Sequence, residues 1–596
     1  MTLLFVGGFL ICLTMTLAIG WPIAVFLGFS TRLGSIGFSV GLGLGVILIG
    51  CRAVQLWFSI AQVTWHMWLC VFGYLLAAWW PVKVRSALVD YVGKYRVHLA
   101  LIAVAIAAVA MALNVPILLG EAIQFDGSRN ADSFTFVSSA RYMAHHAFYG
   151  DGDFNPSRPV YSILRSYFGE GAIQPRPAAE GLLAWLGATF DADPMYLYNG
   201  LLTAGMLLGG LSIMAFLPEH MALSPERFAL LLPLMLACPT LLFVAINSNF
   251  ANAFMLAPAT VYVALGGVQR RWGTFVAGVI AVGCLMSGYP ELLLFVGLMR
   301  FFAVVGRGIV TARFLPIAFN SGLLLLEVLA SCALFPWAAK SALIVYRTTL
   351  GVSRAGASDQ VGNMYAGVPA AIVAAAFLLT AWNDLKRYAS GERLRTLFAG
   401  VLLAFTAAQL LMVIRGYPYG GFKIAEYFVT VLSAMVMVCG AIGLSVEAGA
   451  SRTRMQQSRL VLIASTVLAV LWQDVRLLKR SWAFAEDRQV THDLVAAGRW
   501  MQRHIPNGPV ALGHTSASFY YGHWVPYVTG AHLVYDWADP DAAGYLSPYL
   551  REAETVRFSD AQVLLFIDDI GMPDETPDSE LARFGRIHLV CKPSDE

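Results

Sequence analysis

The chain has 596 residues, of which 58% are hydrophobic and 13% charged, and its mean hydropathy is +0.65. A water-soluble fold cannot hide that much apolar surface, so the composition excludes a soluble protein and predicts a polytopic α-helical membrane protein. The net charge of +3 is too small to argue for a nucleic acid partner, because Lys and Arg are already required at cytoplasmic loops.

Apolar runs near the ~20 residues that a bilayer requires fall, in chain order, near 3–27, 33–50, 56–80, 97–119, 197–217, 227–246, 250–267, 273–288, 292–306, 315–336, 365–382, 397–414, 424–445 and 459–474. That is about fourteen spans. The first opens Met1-Thr2-Leu3-Leu4 with no basic n-region and no clear cleavage site, so it reads as a retained span and not a signal peptide. Residues 1–96 hold the three least sharply marked spans. There Arg52 and the tryptophans Trp57, Trp65, Trp68, Trp79 and Trp80 fit either interfacial belts or a re-entrant pair. Of the 8 cysteines only Cys591 lies outside apolar segments or their edges, and no Cys/His spacing suggests zinc. Neither a disulfide framework nor a cysteine-based zinc site is expected.

Between residues 97 and 474 the connections alternate strictly between two kinds. One kind is basic, as at Lys83/Arg85/Lys94/Arg96, Arg270/Arg271, Arg307/Arg313, Lys386/Arg387/Arg393/Arg395 and Arg452/Arg454/Arg459. The other carries carboxylates, Asn and Tyr-Pro turns: the 120–196 loop, 247–249, 287–291, 337–364 and 415–423. The positive-inside rule puts the basic set in the cytoplasm. Every chemically rich loop, and the tail after 475, then lies on the opposite face. That layout fits an enzyme facing away from the cytoplasm or a transporter's outer vestibule.

The 120–196 loop is too long for a linker. After Asn130 and Asp132, either of which can cap a helix, Phe136, Ala140, Met143, Ala144 and Ala147 recur at helical spacing, which suits a helix lying on the membrane surface. A second helix is expected near 178–190. The tail, 475–596, reads as a helix at 488–504 and strands at 509–513, 531–535, 561–567 and 586–591, a small extracytoplasmic α/β domain.

Candidate chemistry collects on the polar connections. Asp126 and Asp132 follow the fourth span, where a carboxylate near apolar surface suits proton abstraction from a hydroxyl. Asp126 precedes the helix and is the freer of the two to face a substrate; Asp132 also fits a cap. Glu291 either binds acceptor hydroxyls or sits as an N-terminal charge after Pro290. The stretch Arg415 to Lys423, with Tyr417 and Tyr419, combines two cations with three glycines and suits a phosphate, or else anchors the span at the interface. Arg176 between two prolines is a second phosphate ligand candidate. His145 and His146 fit acid/base or metal work, or only a polar helix face. Asn247, Asn249 and Asn252 fit sugar binding or capping. Glu327 and Glu426 fall inside spans, where carboxylates point to function by default, although Glu426 is spaced to pair with Lys423. The tail cluster His514, Tyr520, Tyr521, His523 and Trp524 suits carbohydrate contact.

This pattern resembles the GT-C superfamily of integral-membrane glycosyltransferases, which use polyprenyl-phosphate sugars. The resemblance rests on Phe125-Asp126 and Asp132 opening a large extracytoplasmic loop, on surface helices in that loop, on short polar outer turns, and on a C-terminal soluble domain on the same side. It covers 97–474 in layout. It implies that a loop carboxylate, Asp126 or Asp132, is the general base on an acceptor hydroxyl. It also implies that Lys423, Arg415 and Arg176 hold the lipid phosphate, which leaves with inversion. Two departures stand out: several spans precede the loop where many members have one, and the two aspartates are not adjacent. Glu291, Tyr417 and His145 complete the expected substrate-binding set. The expected activity is sugar transfer from a polyprenyl-phosphate donor to a cell-envelope glycan, lipid or protein at the inner (plasma) membrane. No cofactor and no metal ligand is assigned, and the need for a divalent ion stays open. The alternatives are a transporter or flippase of lipid-linked glycans, an O-antigen polymerase or ligase, and an inactive scaffold.

Overall fold

The computed structural model describes residues 2–30, 32–128, 132–148, 177–218, 221, 223–268, 271–310, 314–352, 391–416, 418–445, 454–505, 510–512, 518–529, 533–534, 563–567 and 580–591. Among these, eleven helices are long and apolar enough to cross a membrane, and a shorter apolar helix covers Trp272–Gly288. The chain is a multi-pass helical membrane protein. The span expected at 365–382 lies outside the described residues.

Most spans sit within a few residues of their expected bounds, because the bilayer selects directly for the length of an apolar run. The fourth differs. Its helix, Val82–Leu113, starts well before 97 and takes in Lys83, Arg85, Lys94 and Arg96, with non-helical dihedrals at Tyr95. Basic side chains at a helix end do not stop the backbone, which continues until Asn114 and Pro116 interrupt it. The span expected at 227–246 is a broken helix, Pro225–Leu236 followed by Pro239–Ile246. Pro239 has no N–H for the preceding turn, so the hydrogen-bond ladder stops there.

The first two helices, Thr2–Phe26 and Ser35–Gln55, cross in backbone contact. A Cβ on Gly20 would lie 1.7 Å from the Ser39 carbonyl oxygen, and one on Gly43 would lie 2.0 Å from that of Thr16. Small residues permit such an approach where dispersion, not water exclusion, joins helices. The helix Ala178–Phe190, expected at the surface of the large loop, is instead buried along most of its length. It packs on the second and third helices and on Asp132–His145.

A forked ion pair joins two of the spans. Arg300, on Pro290–Val310, forks onto Glu327, on Phe314–Leu334, with Nη1–Oε2 at 2.5 Å and Nη2–Oε1 at 3.1 Å. Its guanidinium lies 4.3 Å from the Tyr262 ring centre. Gly278 makes room for the carboxylate, because a Cβ there would approach the Glu327 Cδ to 2.4 Å. Glu327 stood out in the sequence as an intramembrane carboxylate; Arg300 is the partner that the sequence did not reveal.

The tail forms a five-stranded sheet in the order Leu533–Val534, Val510–Leu512, Val563–Ile567, Ile587–Cys591, Glu580–Phe584. The first three strands are parallel and the last two pair antiparallel. All four expected strands are present. The hairpin strand Glu580–Phe584 and the helix Ser518–Thr529 were not anticipated. The helix expected from 488 starts at His492, capped by the Thr491 hydroxyl, which accepts from the Leu494 N–H.

Removing one member of the intramembrane pair leaves the other charged and buried. Arg300→Leu is expected to cost about 3–5 kcal/mol of stability. The double change Arg300→Leu/Glu327→Leu is expected to recover most of that loss. Thermal unfolding in detergent measures both, and a double variant no more stable than the single one would refute the pairing.

Candidate functional site

Asp126 is placed by four separate elements. The short strand Gln124–Phe125 pairs antiparallel with Gln489–Val490, just past the last long helix, Arg454–Asp487. Ile123 N–H donates to the Val490 carbonyl at 2.7 Å and Asp126 N–H to the Arg488 carbonyl at 3.1 Å. Asn199, on Met195–Ser212, clamps the other side of the strand. Its Oδ1 accepts from Phe125 N–H at 3.3 Å and its Nδ2 donates to the Phe125 carbonyl at 3.1 Å. The strand's backbone polar groups are therefore satisfied deep in the structure.

The carboxylate itself is fully buried. The Ser133 hydroxyl donates to Oδ2 at 2.5 Å, and the Ser248 hydroxyl donates to Oδ1. Ser248 sits in the turn before Phe250–Ala264 with φ +54, an unusual backbone for a residue with a side chain. Burial pushes the Asp126 carboxyl up to about 7. The two serine hydroxyls oppose that rise, the charge of Asp132 adds to it, and Arg488 opposes it. Asp132 occupies the first turn of Asp132–His145 and is half-buried. The expectation that Asp126 is the freer carboxylate is thus reversed. Asp132 is the more accessible one, and Asp126 is sealed behind it with a proton affinity near neutrality.

The tail reaches the same place. Tyr520, fully buried, donates its hydroxyl to Gln124 Oε1 at 2.6 Å, and Gln124 Nε2 lies 3.5 Å from Asp126 Oδ1. Beside it a cavity of about 10 Å³, room for one water, is lined by the polar Asn114, Asn199, Thr203 and Ser481 together with apolar residues such as Leu113, Phe125 and Leu202.

A second polar group lies across the start of the same helix. Lys423 Nζ pairs with Glu426 Oε2 at 3.0 Å, and Asn252 Nδ2 donates to Glu426 Oε1 at 3.2 Å. Glu426 is fully buried. Ser248, in the turn before the helix, bonds Asp126, and Asn252, in the helix's first turn, bonds Glu426. Glu291 stands in the first turn of its helix, after Pro290. That turn packs on the Lys423 helix through Tyr289 and Tyr427, whose ring centres are 6.5 Å apart. Asp126 and Asp132 thus form one cluster and Lys423 with Glu426 a second, and Glu291 stands on a helix packed beside the second.

The remaining candidates are placed differently. His145 is exposed at the far end of its helix, about 20 Å of rise from Asp132. Arg415 is exposed at the end of Gly391–Arg415, and Gly416 with φ +63 turns the chain there. Tyr417 and Arg176 lie outside the described residues. Among the described residues no group of three His, Cys, Asp or Glu side chains is close enough to hold a metal ion. Sequence reasoning missed Ser133, Ser248, Gln124 and Asn199. The available signal was the polar Asn247-Ser248-Asn249 turn beside an apolar run. A scan against protein-family models and a search of curated proteins found no match to this chain.

The raised carboxyl makes stability depend on pH. In the unfolded chain Asp126 loses its proton near the ordinary 3.8, and in the native state near 7. Between those values the native state binds the extra proton. Its contribution to stability is full below about pH 4, is lost as pH rises to about 7, and is then constant, at about 1.4 kcal/mol per unit of separation. Asp126→Asn is expected to gain stability relative to wild type across that window. Unfolding midpoints on either side of it test this, and a difference independent of pH would refute the shift. Tyr520→Phe is expected to cost about 1 kcal/mol, by leaving Gln124 Oε1 without its donor, in the same unfolding assay.

Proposed function

We propose that this protein is a membrane glycosyltransferase of GT-C-like architecture. It moves a sugar from a polyprenyl-phosphate donor to a cell-envelope acceptor on the outer face of the inner membrane, with the tail as an extracytoplasmic α/β domain. The observation that carries this reading is a carboxyl tuned to about 7 beside a second, accessible carboxylate. The first is bonded by Ser248, four residues before Asn252, which bonds the Glu426 partner of a lysine at the end of a span. A general base works best when its proton affinity lies near the working pH.

In this mechanism Asp132, backed by Asp126, takes the proton from the acceptor hydroxyl. The new bond forms between that oxygen and the anomeric carbon while the bond from the anomeric carbon to the phosphate oxygen breaks. The carbon inverts, and the electron pair leaves with the phosphate. Lys423, released in part from Glu426, and Arg415 from the neighbouring turn neutralise the departing charge. A lipid-linked donor carries its phosphate at the depth of the membrane edge, where these groups stand. The acceptor is a glycan, lipid or protein.

A transporter of lipid-linked glycans is the second reading. It is favoured by the intramembrane Arg300–Glu327 pair, by the helix broken at Pro239, and by Asp474, whose buried oxygens have no hydrogen-bond partner among the described residues.

Sugar transfer from a set of radiolabelled polyprenyl-phosphate sugars by the purified protein in lipid separates the two. Transfer is expected, rising with pH through about 7 as Asp126 ionises behind Asp132. It should fall by about 10²-fold or more in Asp132→Asn or Asp126→Asn, the usual scale for loss of a general base. Movement of a lipid-linked glycan across liposomes that both variants retain, without transfer, would replace the transferase by the transporter.

A further inference from the structure

The helix Ser518–Thr529 lies against Asp132–His145, and the seam between them is built unlike an ordinary core. Phe134 meets three aromatic rings of the tail helix: His523 at 4.9 Å, Trp524 at 5.9 Å and Tyr527 at 6.2 Å between ring centres. One face of the loop helix carries Phe134, Ser138 and Arg141, at intervals of four and three residues. Arg141 donates to the Tyr527 carbonyl at 3.2 Å and lies 4.8 Å from the centre of its ring. The Tyr527 hydroxyl closes the end of the seam by donating to Asp193 Oδ1 at 2.6 Å.

Between these fixed points two buried polar groups have no hydrogen-bond partner among the described residues: the Ser138 hydroxyl and the Trp524 indole N–H. Both residues are fully buried. Leaving such groups unmade costs about 1–3 kcal/mol each. A seam whose only role was packing would carry Ala and Phe at these positions at lower cost. Aromatic faces with a hydroxyl and an indole N–H between them, and no uncompensated charge, match a sugar. Its C–H faces lie on rings and its hydroxyls both donate and accept.

We propose that this seam is a carbohydrate-binding cleft. The tail helix parts from the loop helix at its Trp524–Tyr527 end to admit a glycan while Tyr520 stays on Gln124, and Ser138 and Trp524 then make the hydrogen bonds that the closed seam lacks. Asp132 begins the same loop helix, so a glycan held here has its end at the candidate base. The inference rests on the transferase reading and deepens it by making the acceptor a glycan.

The test uses the full chain in lipid nanodiscs. Binding to an array of soluble oligosaccharides is measured for wild type, Ser138→Ala and Trp524→Phe. Binding of a polyprenyl-phosphate sugar is measured alongside. Wild type is expected to bind at least one oligosaccharide, and each variant to weaken that binding by about three- to tenfold, the worth of one hydrogen bond. Donor binding should be unchanged, and the melting temperature of Ser138→Ala unchanged or raised. No oligosaccharide bound by wild type, or binding indifferent to both changes, overturns the cleft. If the donor still binds in that case, the transferase reading stands without it. Oligosaccharide binding that is sensitive to both changes, with no donor bound and none transferred, keeps the cleft and removes the transferase.

Discussion

The arrangement around Asp126 depends on a two-residue strand pair. Gln124–Phe125 against Gln489–Val490 ties the start of the large loop to the end of the last long helix. It also fixes the register in which Asp126 N–H meets the Arg488 carbonyl. An isolated pair this short has no stability of its own. It holds because Asn199 satisfies the outer edge at Phe125 and because the Tyr520 hydroxyl holds the Gln124 side chain. Loosening the pair would admit water to the carboxyl and return its proton affinity to the ordinary range. The tail is in this sense part of the site, because it supplies strand residues and a buried hydroxyl to a carboxylate that belongs to the loop.

The two linked clusters and the intramembrane pair answer the same electrostatic problem in different ways. Asp126 is buried without a cation in direct contact, so its charge is opposed mainly by two serine hydroxyls, and the outcome is a carboxyl near neutrality. Glu426 is buried with Lys423 and Asn252 against it, and Glu327 with both arms of Arg300. A forked Arg pair fixes the relative positions of two helices, and a near-neutral carboxyl exchanges its proton readily. Burial with a partner therefore marks the frame of this protein. Burial with hydroxyl donors alone marks the place where a proton can move.

What the sequence made legible follows from how local each signal is. Spans were readable because apolar length is a property of one contiguous run. The pairing of Lys423 with Glu426 was readable because their separation of three residues puts them on one helical face. The tail strands were readable from short β-branched runs between turns. The accessibility of Asp126 was misjudged, because its neighbours come from far along the chain. Ser248 is 122 residues away, and Tyr520 is 396 residues from Gln124. Arg300 was passed over for the same reason: nothing within a turn of it announces Glu327. Arg415, grouped with Lys423 by proximity in sequence, is exposed on the preceding helix, whereas Lys423 points into the ion pair.

The reversal between the two aspartates changes how the site is to be understood. The two carboxylates are coupled electrostatically. The charge of Asp132 raises the affinity of Asp126 for its proton. The coupling is reciprocal, so loss of the Asp126 proton makes its partner the stronger acceptor. Removing the negative charge of either member changes the other, so single substitutions will not add. The smaller loss in the double variant than the sum of the singles is the signature of a pair acting as one unit.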